Sequence, residues 1–145
     1  MIAIASDHAG YELKLQVMDY LKELNEEFYD YGAYSLDSCD YPDFAIPACK
    51  SVADGASKCG ILICGTGIGM SMVANKIAKI RCGLCVNEFT AIATREHNNA
   101  NVLAFGARVV DLATAKVMVK AFLTTEFLGG RHARRVDKVN ALDQK

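Results

Sequence analysis

The chain is predicted to fold as an α/β domain built on a doubly wound, five-stranded parallel sheet. Three features carry that expectation. Five short apolar runs are too brief for helices, amphipathic stretches of roughly ten residues separate them, and a glycine-rich turn leads from one run straight into a helix. Alternation of this kind requires right-handed crossovers and puts ligand sites beyond the strand C-termini. With 145 residues the chain has the size of one domain with a sizeable core, expected to span 1–145.

Ile2 to Ser6 reads as the first strand, and Tyr11 to Leu24 as a helix with Leu13, Val17, Leu21 and Leu24 at helical spacing. Glu27 to Tyr31 is the second strand. After the polar stretch Ser35 to Asp40, a helix is expected from about Pro42 to about Asp54. Ile61 to Cys64 has the composition of a fully buried strand, and Met72 to Ile80 that of the helix after it. Arg81 to Val86 supplies the fourth strand, Glu88 to Glu96 the next helix, and Asn101 to Phe105 the fifth strand, before a helix that Asp111 can cap. The segment opening at Gly129-Gly130-Arg131-His132 is amphipathic, with Val136, Val139 and Leu142 on one side. Too short to be stable alone, that last helix must dock, and a second subunit is one surface that could receive it.

Composition narrows the function. A net charge of -1 with 23% charged residues gives no general attraction to nucleic acid or to an anionic membrane. No apolar run approaches the roughly 20 residues that span a bilayer, and the first residues lack the pattern of a signal peptide. A cytoplasmic protein with reduced thiols is therefore expected, despite six cysteines at 39, 49, 59, 64, 82 and 85. Cys82 and Cys85 form a CxxC, but within a strand they point to opposite faces, which disfavours a redox or zinc pair.

The chemistry concentrates in Cys64-Gly65-Thr66-Gly67-Ile68-Gly69. Unpaired backbone N–H groups at the start of a helix attract phosphate, an enolate or a thiolate, and glycines let the backbone come close. A phosphate-binding P-loop would need Lys and then Ser or Thr after the last glycine, where Met70 and Ser71 stand. A dinucleotide fingerprint would need a third small residue where Met70 falls, and a cysteine phosphatase would need an arginine at that same position. The surviving readings are a buried structural cysteine or a thiol prepared as base or nucleophile.

Two of the three histidines, His8 and His97, follow or precede strands together with Asp7 and Asn98, and these residues are expected to converge with Cys64 at one edge of the sheet. Imidazole with thiol is equipment for moving protons. Arg131 and Arg135 are four residues apart, hence on one helical face, where they can grip a phosphate.

With Cys-Gly-Thr-Gly-Ile-Gly at 64–69, Asp7-His8, Asp40-Tyr41-Pro42, the run from His97 to Arg108 and Gly-Gly-Arg-His at 129–132, the chain resembles the ribose-5-phosphate isomerase B family over nearly its whole length. The resemblance implies an aldose–ketose isomerase that interconverts ribose 5-phosphate and ribulose 5-phosphate through a cis-enediolate, with no metal or organic cofactor. It implies Cys64 as the base, Thr66 as a proton carrier between the two oxygens, and the N–H groups of Gly65, Gly67, Ile68 and Gly69 as stabilisers of the enediolate. By the same resemblance His97 opens the furanose ring, Asp7 and Asn98 hold sugar hydroxyls, and His8, Arg108, Arg131 and Arg135 hold the phosphate. Arg131 and Arg135 are then contributed across a homodimer interface, with a tetramer of two dimers as the larger alternative. One branch of the family uses a glutamate a few residues later as its base; Met70 to Ala74 offers no carboxylate, so the cysteine branch is indicated. Six-carbon sugar phosphates such as allose 6-phosphate or galactose 6-phosphate are the alternative substrates. A non-catalytic phosphosugar-binding module is the alternative function, and it leaves Cys64 and His97 without a purpose.

Overall fold

A computed structural model describes residues 1–144. Its five strands are β1 (Ile2–Ser6), β2 (Phe28–Asp30), β3 (Cys59–Cys64), β4 (Cys82–Leu84) and β5 (Val102–Gly106). All pair in parallel, in the order β2-β1-β3-β5-β4. Six helices accompany them: α1 (Tyr11–Glu23), α2 (Pro42–Ala53), α3 (Ile68–Asn75), α4 (Glu88–Glu96), α5 (Leu112–Thr124) and α6 (Arg131–Asn140), the last followed by a 3₁₀ turn at Ala141–Gln144.

The three central strands are buried on both faces, which is why their sequences run as continuous apolar stretches without alternation. Ile2, Ile4, Ile61, Ile63, Leu103 and Phe105 face a layer made by α1, α4 and α5. Ala3, Ala5, Leu62, Cys64 and Ala104 face α2 and α3. Alanines on the second face meet Ala45 and Ala48 of α2, so that helix lies close to the sheet.

Local chemistry sets the element ends. Asn87 and Thr90 form a capping box at the start of α4, with the Thr90 N–H on Asn87 Oδ1 at 2.9 Å. Asp111 caps α5 as expected, accepting the Thr114 N–H at 2.8 Å, and those hydrogen bonds hold its carboxyl below the ordinary carboxylate range. The third helix differs from its sequence reading. It begins at Ile68, directly after Gly67 at φ +80°, and stops at Asn75, four residues before the left-handed Lys79. Asn75 ends it by turning its amide onto β4: its Nδ2 donates to the Cys82 carbonyl at 3.0 Å and its Oδ1 accepts the Cys82 N–H at 2.8 Å. The fourth strand is correspondingly shorter than the apolar run that contains it. Cys82 and Cys85 do pack into opposite layers.

Helix α6 docks on its own chain at its two ends. The His132 ring stacks on His97, Arg81 Nη1 donates to Asn140 Oδ1 at 3.0 Å, and the Lys79 N–H donates to Asp143 Oδ2 at 2.8 Å. Of its apolar side only Val136 is buried, while Val139 and Leu142 stay more than half exposed.

The turn from β1 to α1 depends on one close approach. A Cβ at Gly10 would lie 2.5 Å from the Ile63 carbonyl oxygen, so the start of α1 can press against β3 only without a side chain. Gly10→Ala is expected to cost at least about 1–3 kcal/mol, as overpacking against backbone does, read as a lower urea midpoint with an unchanged m-value.

Candidate active site

At the C-terminal edge of the sheet, β3 delivers Cys64 into the glycine turn. The thiol is 5% exposed, and its sulfur accepts the Gly67 N–H at 3.1 Å. The positive end of the α3 dipole therefore points at sulfur. Thr66 Oγ1 accepts the Ile68 N–H at 3.2 Å, which holds the hydroxyl beside the turn.

Each glycine of the turn is matched to a neighbour. Arg108 Nη1 lies 3.1 Å from where a Cβ of residue 65 would sit, and the Tyr41 ring lies 2.6 Å from where one would sit at residue 69. At Gly67 the backbone of Phe105 would be 2.7 Å away. Backbone bonds from Ala107 N–H to the Cys64 carbonyl (2.8 Å) and from Arg108 N–H to the Gly65 carbonyl (3.0 Å) tie the end of β5 to the same turn.

Asp7 and His8 enter from β1, beside Cys64. Asp7 is 7% exposed and its Oδ1 accepts the Gly10 N–H at 3.0 Å, while its own N–H donates to the Ile63 carbonyl at 3.2 Å. His8 Nδ1 accepts the Cys39 N–H at 3.2 Å. In the neutral ring the proton then sits on Nε2, ready to donate. Asp7, His8 and Cys64 to Gly69 thus gather at one place, as expected, and Arg108 joins them.

His97 and Asn98 do not join them within the chain, which corrects the expected convergence. A crossover helix runs antiparallel to the strands it connects, so the C-terminus of α4 returns to the edge where β5 begins. His97 caps that C-terminus and lies at the strand N-termini, opposite Cys64. There its ring stacks on His132 with centroids 4.6 Å apart and planes 17° from parallel. Asn98 and Arg135 line the same groove of about 720 Å³, which follows the open edge of β4 beneath α6. Arg131 opens α6 and is exposed.

The loop that carries His97 is braced by two arginines not singled out from the sequence. Arg81 donates to the Asn99 carbonyl from Nε at 3.0 Å and from Nη2 at 2.8 Å. Arg95 Nη1 donates to Asn99 Oδ1 at 3.0 Å and to the Ala100 carbonyl at 2.7 Å. Tyr41, which fills the space above Gly69, and Cys39, whose N–H meets His8, were equally unassigned. No spacing rule links them to the turn, although Asp40-Tyr41-Pro42 marked the segment.

Burial separates the thiols. It pushes Cys49 up to about 12 and Cys59 and Cys85 to about 11, and it raises Cys82 as well. These four stay protonated at neutral pH and serve as core side chains. Among the described residues no group of three His, Cys, Asp or Glu side chains is placed to hold a metal ion, and no described helix is long and apolar enough to cross a membrane.

Residues 2–139 match the ribose/galactose isomerase family. This chain belongs to that family. It is 44% identical over 144 residues to ribose-5-phosphate isomerase B of Escherichia coli, covering 99% of this chain and 97% of that protein. The solved ribose-5-phosphate isomerase B of Clostridium thermocellum superposes with a TM-score of 0.97 at 46% identity, over 99% of this chain and 97% of that one. The type B enzyme of Trypanosoma brucei does so with a TM-score of 0.93 at 40% identity, over 97% of each chain. The layered sheet and its helices are thus shared along nearly the whole chain with these solved structures.

Burial, and then the nearby His97, Arg131 and Arg135, hold the His132 imidazole below the ordinary value of 6.5, against an upward pull from Glu96. A depressed histidine favours the fold in its neutral form. Its contribution to α6 docking is present above 6.5 and is lost as the pH falls through the folded-state value. Followed by NMR, His132 is expected to titrate below 6.5 and to shift upward in His97→Asn, which removes one of the lowering causes.

Proposed function

We propose that this chain is a cytoplasmic ribose-5-phosphate isomerase, acting through residues 1–145 as one domain and working without a metal or organic cofactor. The single observation that carries the reading is a cysteine sulfur held against the N–H of a glycine turn, 3.1 Å from Gly67 nitrogen, with Asp7, His8 and Arg108 around it. That arrangement suits abstraction of a carbon-bound proton next to a carbonyl with stabilisation of the resulting oxyanion.

In the forward direction the ring must open first, because only the open-chain aldehyde has an acidic C2–H. His97 assists by acid and base action, giving a proton to the ring oxygen and taking up the one that the anomeric hydroxyl releases. Cys64, as thiolate, then takes the proton from C2, and the C2–H electrons form the C1–C2 double bond while negative charge moves to O1. The N–H groups of Gly65, Gly67, Ile68 and Gly69 face that charge; such a donor contributes about 3 to 4 kcal/mol. Thr66 passes a proton from O2 to O1, and Cys64 returns its proton to C1 to give the ketose. Asp7 and Asn98 hold hydroxyls, and His8, Arg108, Arg131 and Arg135 bind the phosphate.

Because α4 carries His97 to the sheet edge away from Cys64, the two act on one substrate only if they come from different subunits. The working site is then shared in a homodimer: Cys64, Asp7, His8 and Arg108 of one chain meet His97, Asn98, Arg131 and Arg135 of the other. What supports this is the open edge of β4 and the exposed apolar side chains around it, Ile68, Met72, Leu84, Val86, Phe89, Val139 and Leu142. A second copy would cover them.

Two experiments test the reading. With a chelator present, the purified protein should convert ribose 5-phosphate to ribulose 5-phosphate, and Cys64→Ala should lose about 10² to 10⁴ of kcat, as loss of a general base does. Turnover equal to wild type in the variant would remove Cys64 from the mechanism, and turnover of allose 6-phosphate alone would move the assignment to six-carbon substrates. In the second, inactive Cys64→Ala and inactive His97→Asn chains are unfolded together and refolded as a mixture. A shared site predicts recovery of about a quarter of wild-type activity, since half the dimers are mixed and each mixed dimer has one intact site. No recovery would place both groups in one chain.

A further inference from the structure

Helix α1 buries a lysine that the proposed mechanism does not use. Lys14 is 0% exposed and heads the fully buried side chains in size. Its Nζ pairs with Asp30 Oδ1 at 2.7 Å, donates to the Ala33 carbonyl, and lies 5.5 Å and 5.4 Å from the ring centroids of Tyr11 and Tyr34. Asp30 Oδ1 also accepts the Gly32 N–H at 2.8 Å. Gly32 and Ala33 in turn grip the last residue of β1: the Ser6 N–H donates to the Gly32 carbonyl, and the Ala33 N–H to the Ser6 carbonyl, each at 2.6 Å.

Ser6 immediately precedes Asp7 and His8. Downstream of Ala33 the same strap runs to Cys39, whose N–H meets His8 Nδ1. Lys14 therefore sits at the root of a segment bonded to Ser6 on one side of Asp7 and to His8 on the other. A buried ion pair is a poor source of stability compared with an apolar pair of equal volume, but it admits few alternative arrangements of the groups it joins. An apolar side chain at position 14 would extend the buried face that Val17 and Leu21 form on α1 and would leave the Ala33 carbonyl without its donor.

We propose that Lys14 is a positioning residue of the isomerase site: by clamping Asp30–Ala33 to the end of β1, it sets where Asp7 and His8 stand. The proposal rests on the reading of Asp7 and His8 as substrate contacts. It assigns Lys14 no contact with the sugar phosphate.

The test compares Lys14→Met with Val17→Ala, a core truncation on the same helix, by steady-state kinetics with ribose 5-phosphate and by native-state amide exchange on the full chain. Lys14→Met is expected to raise KM about tenfold, the equivalent of one lost charge-assisted hydrogen bond, with kcat within about twofold of wild type. Exchange protection should fall at least about tenfold at the Ser6, Ala33 and Cys39 amides and stay intact at Ile61 and Leu103. Val17→Ala should lower Tm without moving KM and without that local pattern. Unchanged KM and unchanged protection at Ser6 and Ala33, or the same response in both variants, would overturn the proposal. Should Lys14→Met fail to fold, Asp30→Asn must reproduce the pattern at smaller amplitude, and normal behaviour there overturns it equally. If the wild-type chain turns over no substrate, the isomerase reading fails, and the exchange pattern still decides whether Lys14 holds the strap.

Discussion

The site depends on a backbone crossing between the turn after β3 and the end of β5 that leaves no room for side chains. Gly67 lies against the Phe105 backbone, and Gly106 lies against the Thr66 backbone, where an added Cβ would come within 2.5 Å. Because neither strand end carries a Cβ there, the Cys64 turn can fold over β5 and collect the Ala107 and Arg108 N–H groups. The left-handed Gly67 then starts α3 at once, which aims its own N–H at the thiol. Sulfur position, anion cradle and Arg108 placement all follow from that one approach.

The second constraint is topological. Parallel strands oblige each crossover helix to return to the opposite edge, so no arrangement of side chains can bring the end of α4 to Cys64 in the same subunit. The sequence places His97 only eight residues before Phe105, which suggests nearness, but β5 itself spans the distance between the two edges. The arginines that hold the His97 loop rigid, Arg81 and Arg95, are therefore arranged at the far side from the thiol. Helix α6 brings His132 and Arg135 to that same side, so within one chain the two groups of residues stay apart.

Burial sorts the titratable groups between them. Four thiols sunk in the two core layers are held protonated, while the Cys64 sulfur meets a donor at a helix start. At the opposite edge, His132 stacks on His97 near Arg131 and Arg135, and burial together with these neighbours opposes a positive charge on His132. The two clusters thus differ in electrostatic character: one holds a thiol against a backbone N–H, the other stacks imidazoles beside arginines.

The sequence by itself determined the layered α/β fold, the place of each strand within one to a few residues, and the turn that holds the thiol. Those depend on short-range matters: apolar runs of strand length, helical spacing, and glycines where the backbone must bend or approach. The Asp111 cap and the opposed faces of Cys82 and Cys85 were readable for the same reason. A trace of Lys14 was present as well, since it shares helical spacing with Val17 and Leu21, but a lysine there reads as surface until its partner at Asp30 is known. The tertiary structure alone decided the early start and stop of α3, the separation of His97 from Cys64, the pairing of Tyr41 with Gly69, and the seat of α6 on its own chain. Each of these is set by which residues distant in the chain come together in three dimensions, a consequence of strand order and crossover direction that no local pattern contains.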